Sequence, residues 1–119
     1  MVVAAKKLIS AATSEESKRF RYPVDAREWR SWSNPEVIVV DSGLRLDEMS
    51  AELRDAVRGL LKASLSEDGY SKVDAAMIMN GFLGELTHLK NVMNRDSYHF
   101  CLFGEPSETG KVAFSTHFR

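Results

Sequence analysis

Apolar residues recur along the middle of the chain in two helical patterns that a short polar turn separates. In the first, from about Asp47 to Ser64, they fall three and four positions apart, as on one face of an α-helix: Met49, Leu53, Val57, Leu60 and Leu61. Ser50 is the expected N-cap. After the turn Leu65–Tyr70, a wider apolar stripe predicts a second helix: Val73, Ala76, Met77, Phe82, Leu83, Leu86 and Leu89. We therefore expect a helical pair between Leu46 and Val92, with the second helix the more buried one.

Shorter patterns lie on either side of this pair. Val2–Ala12 has the spacing of an amphipathic helix, and Thr13–Glu16 has the form of a capping box that starts another helical turn. Val37–Val40 consists of four β-branched residues, which favour a strand. Tyr98–Phe103 is an aromatic-rich run, and Val112–Phe118 alternates in the period of a strand with one buried face.

The last two strands predict a hairpin around the Gly- and Pro-containing loop Gly104–Gly110. In that hairpin one face carries the larger apolar side chains, Tyr98, Phe100, Leu102, Val112, Phe114 and Phe118. The other face carries polar and ligand-type side chains, His99, Cys101, Ser115 and His117. The fold class that follows is α+β: a helical pair packed on a small, mainly antiparallel sheet that contains Val37–Val40 and Tyr98–Phe103.

Composition narrows the class of protein. A chain of 119 residues with 44% hydrophobic and 28% charged residues is typical of one small globular domain. A formal net charge of −1 provides no electrostatic basis for binding nucleic acid or an anionic membrane. No apolar stretch approaches the roughly 20 residues of a membrane helix. Cys101 is the single cysteine, so we expect a reducing compartment and a cytoplasmic location.

The polar face of the hairpin is the first candidate site. His99, Cys101 and His117 could form a Cys–His nucleophile pair or supply three metal ligands. Single histidines and cysteines on strands more often have only a structural role, and this alternative stays open.

Three further patterns have structural explanations that outweigh the functional ones. Glu85 and His88 have the Glu-x-x-His spacing of di-iron bundles, but the chain has no second copy. Gly104–Gly110 lacks the lysine and the following helix of a phosphate loop. Trp29, Arg30 and Trp32 could line a ligand pocket, but a core anchor for a small domain is the more common role.

Five short motifs occur in one order: Arg30–Glu36, Gly43–Leu46, Leu61–Tyr70, Gly81–Leu86 and Leu102–Ser107. Together they resemble the family called domain of unknown function 3500 (DUF3500), in the version found in fungi, over roughly Ala4 to Thr109. The resemblance implies that longer members continue with a Trp-Gly-Trp strand and a Gly-His-His doublet. That doublet is their best candidate for a catalytic centre or a divalent-metal site.

The chain departs from this pattern after Gly110, where Lys111–Phe114 stands in place of the tryptophan strand. We therefore expect residues 1–110 to be the amino-terminal part of a DUF3500-like domain and residues 111–119 a divergent tail of a truncated or differently spliced product. No catalytic residue is carried over.

Two hypotheses about function remain, and they leave open whether the chain is an enzyme. It is either a non-catalytic α+β module or part of a metal-assisted hydrolase or oxidoreductase of a small molecule. With the rest of the domain missing, Tyr98, Phe100 and Leu102 would lack cover. We therefore expect self-association through exposed apolar surface or a sheet edge, and no stoichiometric transition metal.

Overall fold

The sheet is built around one strand, β3 (Tyr98–Gly104). In the computed structural model, which describes residues 1–31 and 42–109 and the backbone of 112–118, β4 (Val112–Phe118) runs antiparallel along the whole of β3. Because β4 occupies one edge of β3, two short strands share the opposite edge of β3. β1 (Arg21–Tyr22) is parallel to β3, and β2 (Leu44–Arg45) is antiparallel to it. The mainly antiparallel sheet and the α+β class are confirmed.

The hairpin places the apolar residues of both strands on one face, as the alternation predicts. Tyr98 lies opposite Phe118 and Leu102 opposite Phe114, while His99 lies opposite His117. Val37–Val40, the other strand expected in this sheet, lies outside the described residues.

Four α-helices accompany the sheet: α1 (Val2–Ala11), α2 (Ser14–Phe20), α3 (Ala51–Ser64) and α4 (Glu67–Leu86). Short 3₁₀ turns cover Arg27–Arg30 and Leu46–Glu48. The expected single helix from Asp47 is therefore divided in two. It restarts after Ser50, whose Oγ accepts the Leu53 N–H at 3.4 Å and caps α3. None of the described helices combines the length and the apolar character that a membrane crossing requires.

The core lies between α1, α3 and one face of β3. Leu8 of α1, with Leu53 and Leu60 of α3, is completely buried. On β3, Phe100 and Leu102 are 0% exposed and Tyr98 is 6% exposed. The expectation that these three residues lack cover is wrong. The reason is that α1, α3 and the ring of Phe20, 5.6 Å from that of Phe100, already cover this face.

Helix α4 contributes little to this core. Only Met77 and Gly84 are buried along its 20 residues. The prediction that the second helix is the more buried one is therefore wrong. The wide apolar stripe is divided between two opposite faces, and only one of them is covered.

The segment after α4 is held against the helix at close range. A Cβ placed on Gly84 would lie 1.7 Å from the carbonyl oxygen of Met93, so this backbone contact is possible only with glycine. Asp96 accepts hydrogen bonds from Arg54 at 3.2 Å and from Arg58 at 2.6 Å, which ties the segment to α3. Gly84 thus has the close-packing role that a helical glycine in an apolar run suggests.

Candidate functional site

The first candidate site lies on the face of β3 that points away from α1 and α3. Alternation along the strand places His99, Cys101 and Phe103 on this face, and they are 3%, 0% and 0% exposed. Cross-strand partners share a face, so pairing of His99 with His117 and of Cys101 with Ser115 brings the three predicted ligand residues to one side of the sheet. β4 is described by its backbone alone.

Aromatic rings and one glycine cover this face. Tyr22 stacks on Phe103 with ring centroids 5.5 Å apart, and Trp29 meets the same ring edge-on at 5.0 Å. Gly43 has a φ of +89°, and a Cβ there would lie 2.7 Å from the Cys101 Sγ. The backbone N–H of Gly43 donates to the Tyr22 hydroxyl oxygen at 3.0 Å. The thiol is thus buried, with the Gly43 backbone directly against it.

This environment keeps the thiol protonated. Burial raises the pKa of Cys101 to about 12, and the negative charge of Glu28 acts in the same direction. A thiolate is the reactive form of cysteine both as a nucleophile and as a metal ligand. At neutral pH Cys101 is therefore a poor nucleophile in this arrangement, unless a bound cation displaces its proton.

A metal centre would need ligands beyond those that are fully described. Among residues 1–31 and 42–109, no three His, Cys, Asp or Glu side chains are close enough to hold a metal ion. His99 and Cys101 contribute two ligands, so His117 would have to be the third. The proposed set of three stays a prediction.

The Glu-x-x-His pattern does not lie on one helical face. Helix α4 ends at Leu86, and His88 has a φ of +60°, outside the helix. Glu85 instead forms an ion pair with Lys90 at 3.3 Å. This spacing therefore does not create the paired ligands of a di-iron site.

The structure tests the predicted core role of only one of the two tryptophans. Trp29 is 45% exposed and forms a T-shaped pair with Phe103, so it is not the core anchor expected of it. Trp32 lies outside the described residues.

A second candidate site is the uncovered side of α4, which sequence reasoning missed. Its large side chains are between 40% and 64% exposed: Ile78, Met79, Phe82, Leu83 and Leu86. We refer to these five residues as the outer face of α4. The signal was available in the sequence, because Ala75, Met79, Phe82 and Leu86 repeat at spacings of four, three and four. That repeat marks a second apolar stripe on a helix whose other side is already buried.

The two sites belong to a chain that matches a known family almost from end to end. A family model described as "Protein of unknown function (DUF3500)" matches residues 1–117. The chain belongs to this family. No curated protein and no solved structure matches it.

Glycines in the DUF3500-like motifs have packing or turn roles here. Gly43 allows the backbone to pass over Cys101, and Gly84 allows it to pass against α4. Gly104 has a φ of +77° where β3 ends, a conformation that glycine adopts without strain. These motif residues are explained by the fold and carry no chemistry themselves.

Proposed function

We propose that this chain is a non-catalytic α+β module of a DUF3500 protein, and that it acts by binding a partner through the outer face of α4. The observation that carries the proposal is the exposure of Met79, Phe82 and Leu86, at 59%, 58% and 64%. The largest exposed apolar patch on a protein surface is often a binding site.

The size of the outer face supports this role. Five side chains with on the order of 200 Å² of surface each present roughly 550 Å² to solvent at these exposures. The largest apolar patch on a typical monomer covers about 300–600 Å² and is often functional. The outer face of α4 therefore lies at the upper end of that range.

The chemistry of the sheet face is consistent with a module without catalysis of its own. A buried thiol whose pKa is raised to about 12 is not poised for nucleophilic attack. Cys101 is also 0% exposed, with the Gly43 backbone directly against its thiol, which leaves little room for a substrate.

A dye-binding experiment tests the proposal. At about 1 μM protein, where association is weak, we expect the hydrophobic dye ANS to bind and the variant Phe82→Gln/Leu86→Gln to lose most of the fluorescence gain. Val24→Gln is the matched control, because Val24 is 47% exposed and lies far along the chain from α4. Equal losses in both variants, with folding intact by circular dichroism, would show that the outer face has no special binding role.

The alternative function is a part of a metal-assisted enzyme acting on a small molecule, with His99, Cys101 and His117 as ligands. The cross-strand pairing of His99 with His117 supports it. Metal binding would have to deprotonate Cys101, which couples affinity to pH.

Cobalt titration separates the two functions. Under the principal proposal, Co²⁺ added to the purified chain produces no thiolate charge-transfer band and no stoichiometric uptake. A band that saturates at one ion per chain, and that Cys101→Ser and His117→Ala both remove, would establish the metal site instead. His88→Ala serves as the control, because His88 lies outside the proposed set.

The proposal includes three points from the sequence: the chain is the fungal version of the family, it resides in the cytoplasm, and it has no nucleic-acid partner.

A further inference from the structure

The outer face of α4 has the pattern of a helix-pairing seam. Ala75, Met79, Phe82 and Leu86 follow the alternating four- and three-residue spacing of the a and d positions of a coiled coil. They lie along the exposed side of the helix, over roughly 16 Å at 1.5 Å per residue. A seam of this kind is suited to another helix rather than to a small molecule.

From this pattern, and resting on the proposed function, we infer that the partner is a second copy of this chain, whose α4 packs antiparallel on the first around a two-fold axis. The axis passes between Met79 and Phe82. Ala75 of one copy then lies opposite Leu86 of the other, and Met79 lies opposite Phe82.

Side-chain size supports this orientation. The amino-terminal half of the seam has the small residue Ala75, and the carboxyl-terminal half has the large residues Phe82 and Leu86. An antiparallel pair places large against small at its ends, which fills space without overlap. A parallel pair would place Ala75 on Ala75 and leave a gap there, while Phe82 would meet Phe82.

Charge favours the same orientation. Glu67 and Asp68 form the acidic first turn of α4. A parallel pair would bring these two acidic turns together, whereas an antiparallel pair separates them and opposes the two helix dipoles. The surface of each copy is thus complementary to itself only when the second helix is reversed.

The area predicts a weak, reversible dimer. If the pairing covered the whole outer face, each copy would bury roughly 550 Å², or roughly 1,100 Å² in total. The seam residues alone account for less, so the interface lies in the range of transient ones. We therefore expect monomer and dimer to exchange at micromolar concentrations, without a stable higher assembly, because a two-fold pairing closes on itself.

Sedimentation velocity between about 1 and 200 μM measures the association. We expect a concentration-dependent monomer–dimer equilibrium, with the dissociation constant raised at least about tenfold in Phe82→Glu, because Phe82 lies beside the two-fold axis at the centre of the interface. Val24→Glu, an exposed apolar position elsewhere, should leave it unchanged.

Cysteine cross-linking measures the orientation. Ala75→Cys and Leu86→Cys chains are mixed and oxidised; Cys101 is completely buried and does not compete. The antiparallel pair yields the mixed 75–86 disulfide faster than 75–75 or 86–86 disulfides. Faster 75–75 and 86–86 products would overturn the orientation.

The outcomes also separate this inference from the proposed function. A chain that stays monomeric at every concentration, yet binds ANS in a manner that depends on Phe82 and Leu86, would reject the second copy and keep the binding face. A monomer without that dye binding would reject both.

Discussion

Helices α3 and α4 follow one another in the chain and start in the same way, yet the fold uses them differently. Ser50 caps the first and Ser66 the second, each by accepting a backbone N–H. The 14 residues of α3 place five side chains in the core: Leu53, Ala56, Val57, Leu60 and Leu61. The 20 residues of α4 bury only Met77 and Gly84.

The difference lies in how apolar residues are distributed around each helix. In α3 they form one stripe and the opposite side is charged. Burial of that stripe therefore leaves no second apolar side exposed. In α4 they occur on two opposite sides, so burial of one side leaves the other exposed. A helix that is apolar all round is normally covered on all sides. The count of apolar residues therefore says less about burial than their angular distribution does.

The largest effect should come from a charge placed on the buried stripe of α3. Leu60 is 0% exposed. An unpaired carboxylate at this position costs several kcal/mol, against a total stability of about 5–15 kcal/mol. We expect Leu60→Asp to abolish cooperative unfolding in urea.

The matched substitution on α4 is Leu86→Asp, at a position that is 64% exposed. In dilute protein it should change the free energy of unfolding by no more than about 0.5 kcal/mol, as surface substitutions do. Equal effects at the two positions would show that the two helices do not differ in burial.

The next effect concerns the one side of α4 that is packed closely. Gly84→Ala places a Cβ 1.7 Å from the Met93 carbonyl oxygen, so backbone has to move. We expect a loss of about 1–3 kcal/mol, as for overpacking elsewhere, measured by urea unfolding. At Gly81 the nearest atom is the Arg95 nitrogen at 3.4 Å, so Gly81→Ala should be tolerated. A Gly84→Ala variant as stable as the parent would mean that this side of α4 is loosely packed too.

A smaller effect should reveal how the start of α3 is anchored. The Glu16 carboxylate accepts the Ser50 N–H at 2.7 Å and the Thr13 N–H at 2.9 Å. Partial burial raises the pKa of Glu16, but these hydrogen bonds outweigh burial and lower it from 4.5 to about 2. Because the folded-state pKa is the lower one, the stabilisation is complete above pH 4.5 and is lost as the pH falls towards 2.

Glu16→Gln should therefore be less stable than the parent by about 1 kcal/mol at pH 7, in the range of a lost cap. The two unfolding curves should converge as the pH falls towards 2. Glu15→Gln is the control, because that side chain is 83% exposed and pairs only with Lys18 among the described contacts. A difference that stays constant with pH would show that the carboxylate charge does not anchor α3.

The smallest effect is a gain on the solvent side of α3. An added Cβ at Gly59 meets no atom within 4 Å. Gly59→Ala should therefore stabilise the protein by up to about 1 kcal/mol through helix propensity alone. Thermal unfolding measures this gain. A loss of stability would indicate that something packs closely on this side of α3.

Local patterns in the sequence determined much of the architecture. The capping box at Thr13 and Glu16, the Ser50 cap and the period of α3 all depend on residues within one or two helical turns. Alternation also determined which residues of the hairpin share a face, because a shift of one residue would place the apolar face of one strand beside the polar face of the other. For the candidate site, this was enough to place His99 and His117 on one face; the structure adds that they lie opposite each other.

Only the tertiary structure decided which surfaces are buried. β1 and β2 are two residues long, too short to show a period, and their pairing with β3 joins distant parts of the chain. Gly43, next to β2, lies directly against Cys101, and burial there raises the pKa of the thiol.

The orientation of α4 was decided in the same way. Its sequence contains two apolar sides, and nothing local ranks them. The contact of Met93 with Gly84 turns one side inward, so Met79, Phe82 and Leu86 face solvent. A periodic pattern specifies that a helix has an apolar side, but a long-range contact selects the side that is covered, because burial depends on what the rest of the chain brings against it.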